Sequence, residues 1–418
     1  MIKKIKDTFY KILIKTQKFT KTDNVYLVKH SFYLLLSDAV NIISVLILAI
    51  LYAKFLSQET YGEYKYILSI IAMIGITALP GIDDAINRAV ARGFEGTVKD
   101  GLKEKIKWSL LGSLILLIIG GYYFFLKNNF VYSICLFIAA LFFPVVKSFV
   151  IYQSYLDGKK MFNKRAKYCS ISTFFYLIVI SFIVVFNKNL ITLIFVYFFT
   201  QALYLLYFYI KTLKKYPVNN KSDIETIKYG KHLSLMLVIT LISDNIDKIL
   251  LFNLLGPAKL AIYSFATMPI EYLRKPLYNI RIITYPKFST QSKKTIKKTL
   301  PSKILKLSLF VIPSLIIIYV LFAPYAYKIL FSKYQESVFY SCIYALSLIF
   351  FPASLLTSAL QATKETKKLY KIFTIMPIFK IILFLFFIPL YGIFGAILSI
   401  LLSNAFYLIL SYFYFKRI

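Results

Sequence analysis

FFPVVKSFVIYQSYLDGKK, residues 142–160, can be laid without a gap on FFPASLLTSALQATKETKK, residues 350–368. Phe-Phe-Pro recurs, Gln153 meets Gln361, Asp157 meets Glu365, and Lys159-Lys160 meets Lys367-Lys368, all at an offset of 208. A second echo sets Ser37-Asp38 and Asn41 against Ser243-Asp244 and Asp247, at an offset of 206. A third, weaker, sets YGEYKYILSI (61–70) against LAIYSFATMP (260–269). Biased sequence can produce one such echo by chance. Three in the same order point to a duplicated chain.

What is duplicated follows from hydropathy. Of 418 residues 59% are hydrophobic, and the mean hydropathy is +0.69. The apolar residues come in runs of about 20, enough to cross a hydrocarbon layer of about 30 Å as helix. Twelve spans are predicted: 31–56, 64–90, 106–126, 130–152, 168–186, 190–211, 229–256, 260–285, 304–323, 337–361, 370–390 and 392–415. The expected fold is all-α and integral to the membrane, with two six-helix lobes, 30–215 and 229–418, joined by a cytoplasmic linker at 216–228. Six is even, so both lobes have one orientation and the repeat is parallel, a pseudo-two-fold along the membrane normal. Residues 1–29 place Ile2, Ile5, Phe9 and Ile12 at helical spacing among eight Lys, the pattern of a cytoplasmic basic helix lying on the bilayer. No cleavable signal peptide is read, because the first long apolar run begins only after Lys29.

Charge sets the orientation. Lys54, Lys107, Lys211, Lys231 and Lys371, at helix ends, are counted with their neighbouring connections. The termini and even-numbered connections then carry 36 Lys and Arg, and the odd-numbered connections carry 6. By the positive-inside rule both termini are cytoplasmic. The net charge of +33 does not indicate nucleic acid, because these cations are scattered in short segments with no soluble domain to carry a basic face. Connections such as KNN (127–129), NKN (187–189) and GPAK (256–259) are little more than turns. No loop is long enough to hold a glycosyl-transfer site and no P-loop spacing occurs, so a transporter is expected, not an enzyme. Cys135, Cys169 and Cys342 lack metal-ligand spacing, and no metal is expected.

Nine cations fall inside the spans. Lys65, Arg88, Lys147 and Lys306 are read as end residues that snorkel to the interface. Lys248, Arg274, Lys275, Arg281 and Lys380 lie deeper, where a charge is costly and needs a reason. Arg274, Tyr278 and Arg281 share a face at i, i+4, i+7, with Glu271 able to neutralise Arg274 or Lys275 in part. Pro269 and Pro276 free backbone carbonyls there, so this helix is expected to line a wet cavity. In LISDNIDKILLFNLLG (241–256), Asp244 and Lys248 are expected to pair at i, i+4, leaving Asp247 as a like-charged neighbour. A carboxylate in excess of its partner would titrate or bind a cation, so Asp244, Asp247 and Glu271 are read as ion-coupling groups. Asp38 and Asn41 are read as their first-lobe counterparts. Asp84 and Arg88 form a further expected pair, beside a kink at Pro80-Gly81.

The stretch YGEYKYILSIIAMIGITALPGIDDAINRAVAR resembles the start of Wzx-type O-antigen and capsule flippases. GPAKLAIYSFATMPIEYLRKPLYNIRIITYPKFS and LQATKETKKLYKIF with IPLYGIFGAILSILLSNAFY are similar to their eighth and tenth-to-twelfth helices. The resemblance implies membership of the multidrug/oligosaccharidyl-lipid/polysaccharide exporter superfamily. It also implies translocation of undecaprenyl-pyrophosphate-linked oligosaccharide across a bacterial cytoplasmic membrane, beside a glycan polymerase and glycosyltransferases. Arg274, Lys275, Arg281, Lys248, Tyr278 and Arg88 would then meet the pyrophosphate, whose oxygens arginine binds in a fork. No cofactor is expected beyond a proton or sodium ion as coupling ion. The competing readings are a multidrug and toxin extruder, whose cavity should be acidic, and a non-transporting component of a glycan assembly complex. The peptidoglycan-precursor flippase, a further relative, usually has two more helices.

Overall fold

The computed structural model describes residues 24–289, 293–363 and 365–417, with side chains from residue 37 on apart from 276, 278–287, 289, 303 and 306. All but the last six residues of the expected 1–29 surface helix lie outside this range. Every regular element described is helical. In chain order these are α1 (Asn24–Phe55), α2 (Gln58–Ile74), α3 (Gly81–Ala91), α4 (Thr97–Phe125), α5 (Phe130–Ser148), α6 (Ile151–Gly158), α7 (Phe162–Phe186) and α8 (Leu190–Lys215). The second half holds α9 (Ile224–Ser243), α10 (Ile246–Leu255), α11 (Pro257–Ser289), α12 (Lys293–Lys306), α13 (Ile312–Leu330), α14 (Glu336–Ala345), α15 (Pro352–Ala362) and α16 (Thr366–Lys416).

Among the described residues, eight stretches are long and apolar enough to cross a membrane, and a ninth arises if the bent α2–α3 pair is one span. Large apolar side chains such as Ile118, Leu141, Phe182, Ile317 and Phe386 face outward, the surface that lipid covers. The chain is a multi-pass membrane protein. Lys228 and Lys231 in α9 and Lys259, Glu271, Arg274 and Lys275 in α11 keep those helices from being long apolar stretches, and α10 is only ten residues long.

Local sequence explains where helices begin and break. Asn129, Asn189 and Asp223 cap α5, α8 and α9 by accepting from backbone N–H groups of Tyr132, Ile191 and Thr226. α2 and α3 meet at 46°, where Leu79 takes φ +52° just before Pro80-Gly81. Within α16, Gly392 at φ +58° separates two helices, and Gly256 at φ +85° turns α10 into α11.

The halves of the chain meet along α2 and α3. At the lysine-poor end α2 packs on α11, and the ring of Tyr66 stacks on Phe252 at 3.7 Å. Lys333 donates to the carbonyls of Lys54 and Leu56, and Gln58 donates back to Lys333 O at 2.5 Å. From the α2–α3 break to the lysine-rich end α3 packs on α9: Gly81 N–H at the break donates to Ser234 Oγ at 2.9 Å, and Arg92 beyond the end of α3 meets Asp223 at 2.7 Å. The hydroxyl of Thr226 and then Arg92 hold the Asp223 carboxyl below its ordinary range.

Gly62 is required for the first of these contacts, since a Cβ there would lie 1.9 Å from the carbonyl oxygen of Pro257. Gly62→Val should therefore cost about 1–3 kcal/mol through overpacking. Thermal unfolding of the purified protein checks this; a parental melting temperature would mean that the halves do not close at this point.

Candidate functional site

Two adjoining cavities, of about 420 and 250 Å³, lie between the halves and share Lys65 and Lys248. Lys275 lines the first and Lys147 the second. Lys65 and Lys147 were expected at span ends, and the structure corrects this. α2 begins at Gln58, two turns before Lys65, and the span holding Lys147 runs on through α6 to Gly158. The Lys147 ammonium accordingly lies at the mid-span break of α2–α3, 3.4 Å from the point where Gly75 would carry a Cβ.

Lys65, Lys147 and Lys275 form no ion pair among the described residues. Each instead lies over an aromatic ring: Lys65 over Tyr61 at 5.4 Å, Lys147 over Phe143 at 5.8 Å and Lys275 over Tyr272 at 4.3 Å. A ring quadrupole offsets only part of an ammonium's lost hydration. The space between the halves therefore holds positive charge in excess.

A third cavity, of about 570 Å³, lies within the second half. It has three acids and three bases, and they match. Asp247 accepts from Lys248 at 3.2 Å and from the buried Tyr263 hydroxyl at 2.5 Å. Glu271 accepts from Arg274 at 3.0 Å and from Tyr344. Asp244 accepts from Lys380 of α16 at 2.9 Å.

The expected Asp244–Lys248 pair is thus not formed. The helix is interrupted between Ser243 and Ile246, so i, i+4 geometry does not hold across it, and Lys248 turns to Asp247 and to the Asp244 carbonyl. Asp244 and Asp247 do not share a helix face, although both line this cavity. The expectation of a carboxylate without a cationic partner is not met, because Lys380 supplies one from 136 residues away.

The remaining expected residues scatter. Arg274 faces the third cavity while Lys275 faces the central one, as adjacent residues on a helix must diverge. The side chains of Tyr278 and Arg281 lie outside the described set. Arg88 does not pair with Asp84. It donates to the Tyr229 hydroxyl at 2.8 Å and lines a separate cavity with Arg92 near the lysine-rich end. Asp38 and Asn41 are half-buried on α1, which packs against α7, and line neither central cavity.

A family model for polysaccharide biosynthesis proteins matches residues 27–291. The chain belongs to this family. A search of curated proteins finds no significant match. Among solved structures, the lipid II flippase MurJ in an inward closed conformation superposes with a TM-score of 0.64 at 16% identity, covering 93% of this chain and 87% of that one. An outward-facing MATE family multidrug resistance transporter of the MOP superfamily gives 0.60 at 13% identity, over 94% and 95%. A MOP superfamily transporter from Pyrococcus furiosus, described as having a binding pocket of reverse polarity, gives 0.57 at 13%, over 94% and 93%. This family member therefore has the fold of MOP-type transporters.

Proposed function

We propose that the protein is a flippase moving undecaprenyl-pyrophosphate-linked oligosaccharide from the cytoplasmic to the outer leaflet of a bacterial cytoplasmic membrane. The observation that carries this reading is the set of three ammonium groups, Lys65, Lys147 and Lys275, between the halves, with no carboxylate partner among the described residues. A pyrophosphate must be stripped of water to cross hydrocarbon, and fixed cations at depth replace that water. The same groups would repel an organic cation, which disfavours a multidrug extruder despite the shared fold. They also have no evident use in a protein that only organises glycan enzymes. Loss of translocation by an Ala variant present at the parental level, with the glycan enzymes still active, would separate transport from assembly.

In this reading the chain makes twelve spans in two six-helix lobes, with both termini cytoplasmic. The lysine-poor end is then the outer one. The Tyr66–Phe252 stack and the Lys333 hydrogen bonds must separate there for the site to face outward, while the α3–α9 contact closes the inside. Glycosyltransferases and a polymerase are the expected functional partners. The orientation is checked by impermeant thiol labelling of single-cysteine variants in intact cells, built on a background with the native cysteines replaced. Lys188→Cys should label and Lys221→Cys should not; the opposite pattern overturns the topology. The transport reading is tested by following lipid-linked glycan in spheroplasts depleted of the protein. It should accumulate in the inner leaflet, and unimpaired surface glycan would refute the assignment.

A further inference from the structure

The cavity within the second half has no excess cation to offer a pyrophosphate, because its charges are internally matched. We propose that it holds the sugar unit next to the pyrophosphate, a neutral polyhydroxylated ring, and so contributes to glycan selection. This deepens the reading above and rests on it.

Four observations point to that ligand. The volume, about 570 Å³, falls within the range of small-molecule sites and far exceeds the needs of a single ion. Its ion pairs, Asp244–Lys380, Asp247–Lys248 and Glu271–Arg274, leave no net charge to attract an anion or a cation. The paired groups still offer lone pairs and N–H donors to a ligand carrying both functions on each carbon, as a sugar does. The walls include Phe373 and Tyr407, rings whose faces suit the C–H face of a pyranose.

The fourth observation is Asn404. Its side-chain amide lines the cavity and makes no hydrogen bond among the described residues. A carboxamide can donate and accept at once, so it reads adjacent hydroxyl or acetamido groups. Position completes the case. Lys248 and Glu271 line both this cavity and the central cationic one, so a ligand can keep its phosphates between the halves while its first sugar enters here.

The test uses the full-length protein in nanodiscs and two kinds of probe, farnesyl pyrophosphate and farnesyl pyrophosphate linked to glucose, galactose, N-acetylglucosamine or N-acetylgalactosamine. At least one glycosylated probe should bind about tenfold more tightly than the bare pyrophosphate, as expected for one or two added hydrogen bonds and a stacked ring. Asn404→Leu should abolish that gain while leaving bare farnesyl pyrophosphate within about twofold. Asn404→Ala serves the same purpose if the Leu variant is poorly produced. Glycosylated probes that bind no more tightly than the bare one overturn the proposal, as does a gain that survives both Asn404 variants. Failure of the headgroup reading looks different: bare farnesyl pyrophosphate would not bind, or would bind equally well after Lys65→Ala. The cavity is then judged on the glycosylated probes and the Asn404 variants alone.

Discussion

Lys65→Ala should leave cells without detectable surface glycan while the protein accumulates to at least its parental level. Two quantities are expected to move in opposite directions. The phosphates lose a cation in a low-dielectric site, a deficit of about 2–5 kcal/mol, which corresponds to roughly 30-fold to several thousand-fold in headgroup affinity. The folded protein, however, loses an ammonium with no carboxylate partner among the described residues, so no described counter-charge is stranded by the change. Removing such a group from the membrane interior should raise stability by about 1–3 kcal/mol. Lys147→Ala and Lys275→Ala should behave alike, Lys65→Arg should retain much of the activity, and Lys294→Ala, at the lysine-rich end, should be neutral. Surface glycan and thermal unfolding are read on the same variants. Activity and stability falling together would mean that Lys65 is structural, and normal glycan would remove it from the site.

This gain on truncation is the signature of a group kept for function at the expense of the fold. Lys275 and Lys248 stood out in the sequence as deep cations, whereas Lys65 and Lys147 read as helix-end residues. Lys65 stands one residue inside the hydrophobic run that begins at 64, and run-counting therefore puts it at the interface. Ser57 caps the helix and Gln58 opens it, two turns earlier than hydropathy indicates. Lys147 looks terminal for a related reason: the polar residues from Gln153 on suggest an end near 152, yet α6 continues the span to Gly158.

Features encoded in a few adjacent residues were legible. The turns at KNN and GPAK, the kink at Pro80-Gly81 and the break within 366–416 follow from capping, proline and positive-φ glycine chemistry. The Asp244–Lys380 bridge was not legible, because nothing local selects a partner so far along the chain. Its one trace was a lysine deep in an apolar run, which Lys380 shares with Lys248. The pairing rule that favours Lys248 assumed an unbroken helix, and the interruption at Asp244-Asn245 removes that premise.

The reassigned partners change what the carboxylates should do when altered. Asp247 is 5% exposed and accepts from both Lys248 and the buried Tyr263 hydroxyl. Asp247→Ala strands a cation and a phenol together, and should cost about 3–5 kcal/mol. That is enough to deplete the folded protein severely. Asp247→Asn keeps an acceptor for Tyr263 but loses the charge, so its cost should be smaller, about 1–3 kcal/mol. Adding Lys248→Met to Asp247→Ala should recover part of the loss, because the stranded ammonium is then gone. Asp244→Asn should cost less than about 1 kcal/mol, since the Asp244 carboxylate is 55% exposed and its bridge to Lys380 is screened. None of these variants should change how transport in proteoliposomes responds to pH or sodium, because neither carboxylate lacks a cationic partner. Melting temperatures and transport assays separate this view from a coupling role. An Asp247→Asn protein that melts like the parent, binds the lipid-linked glycan and loses only its response to the ion gradient would show that Asp247 works by exchanging a proton or a cation, not by holding α10 against α11.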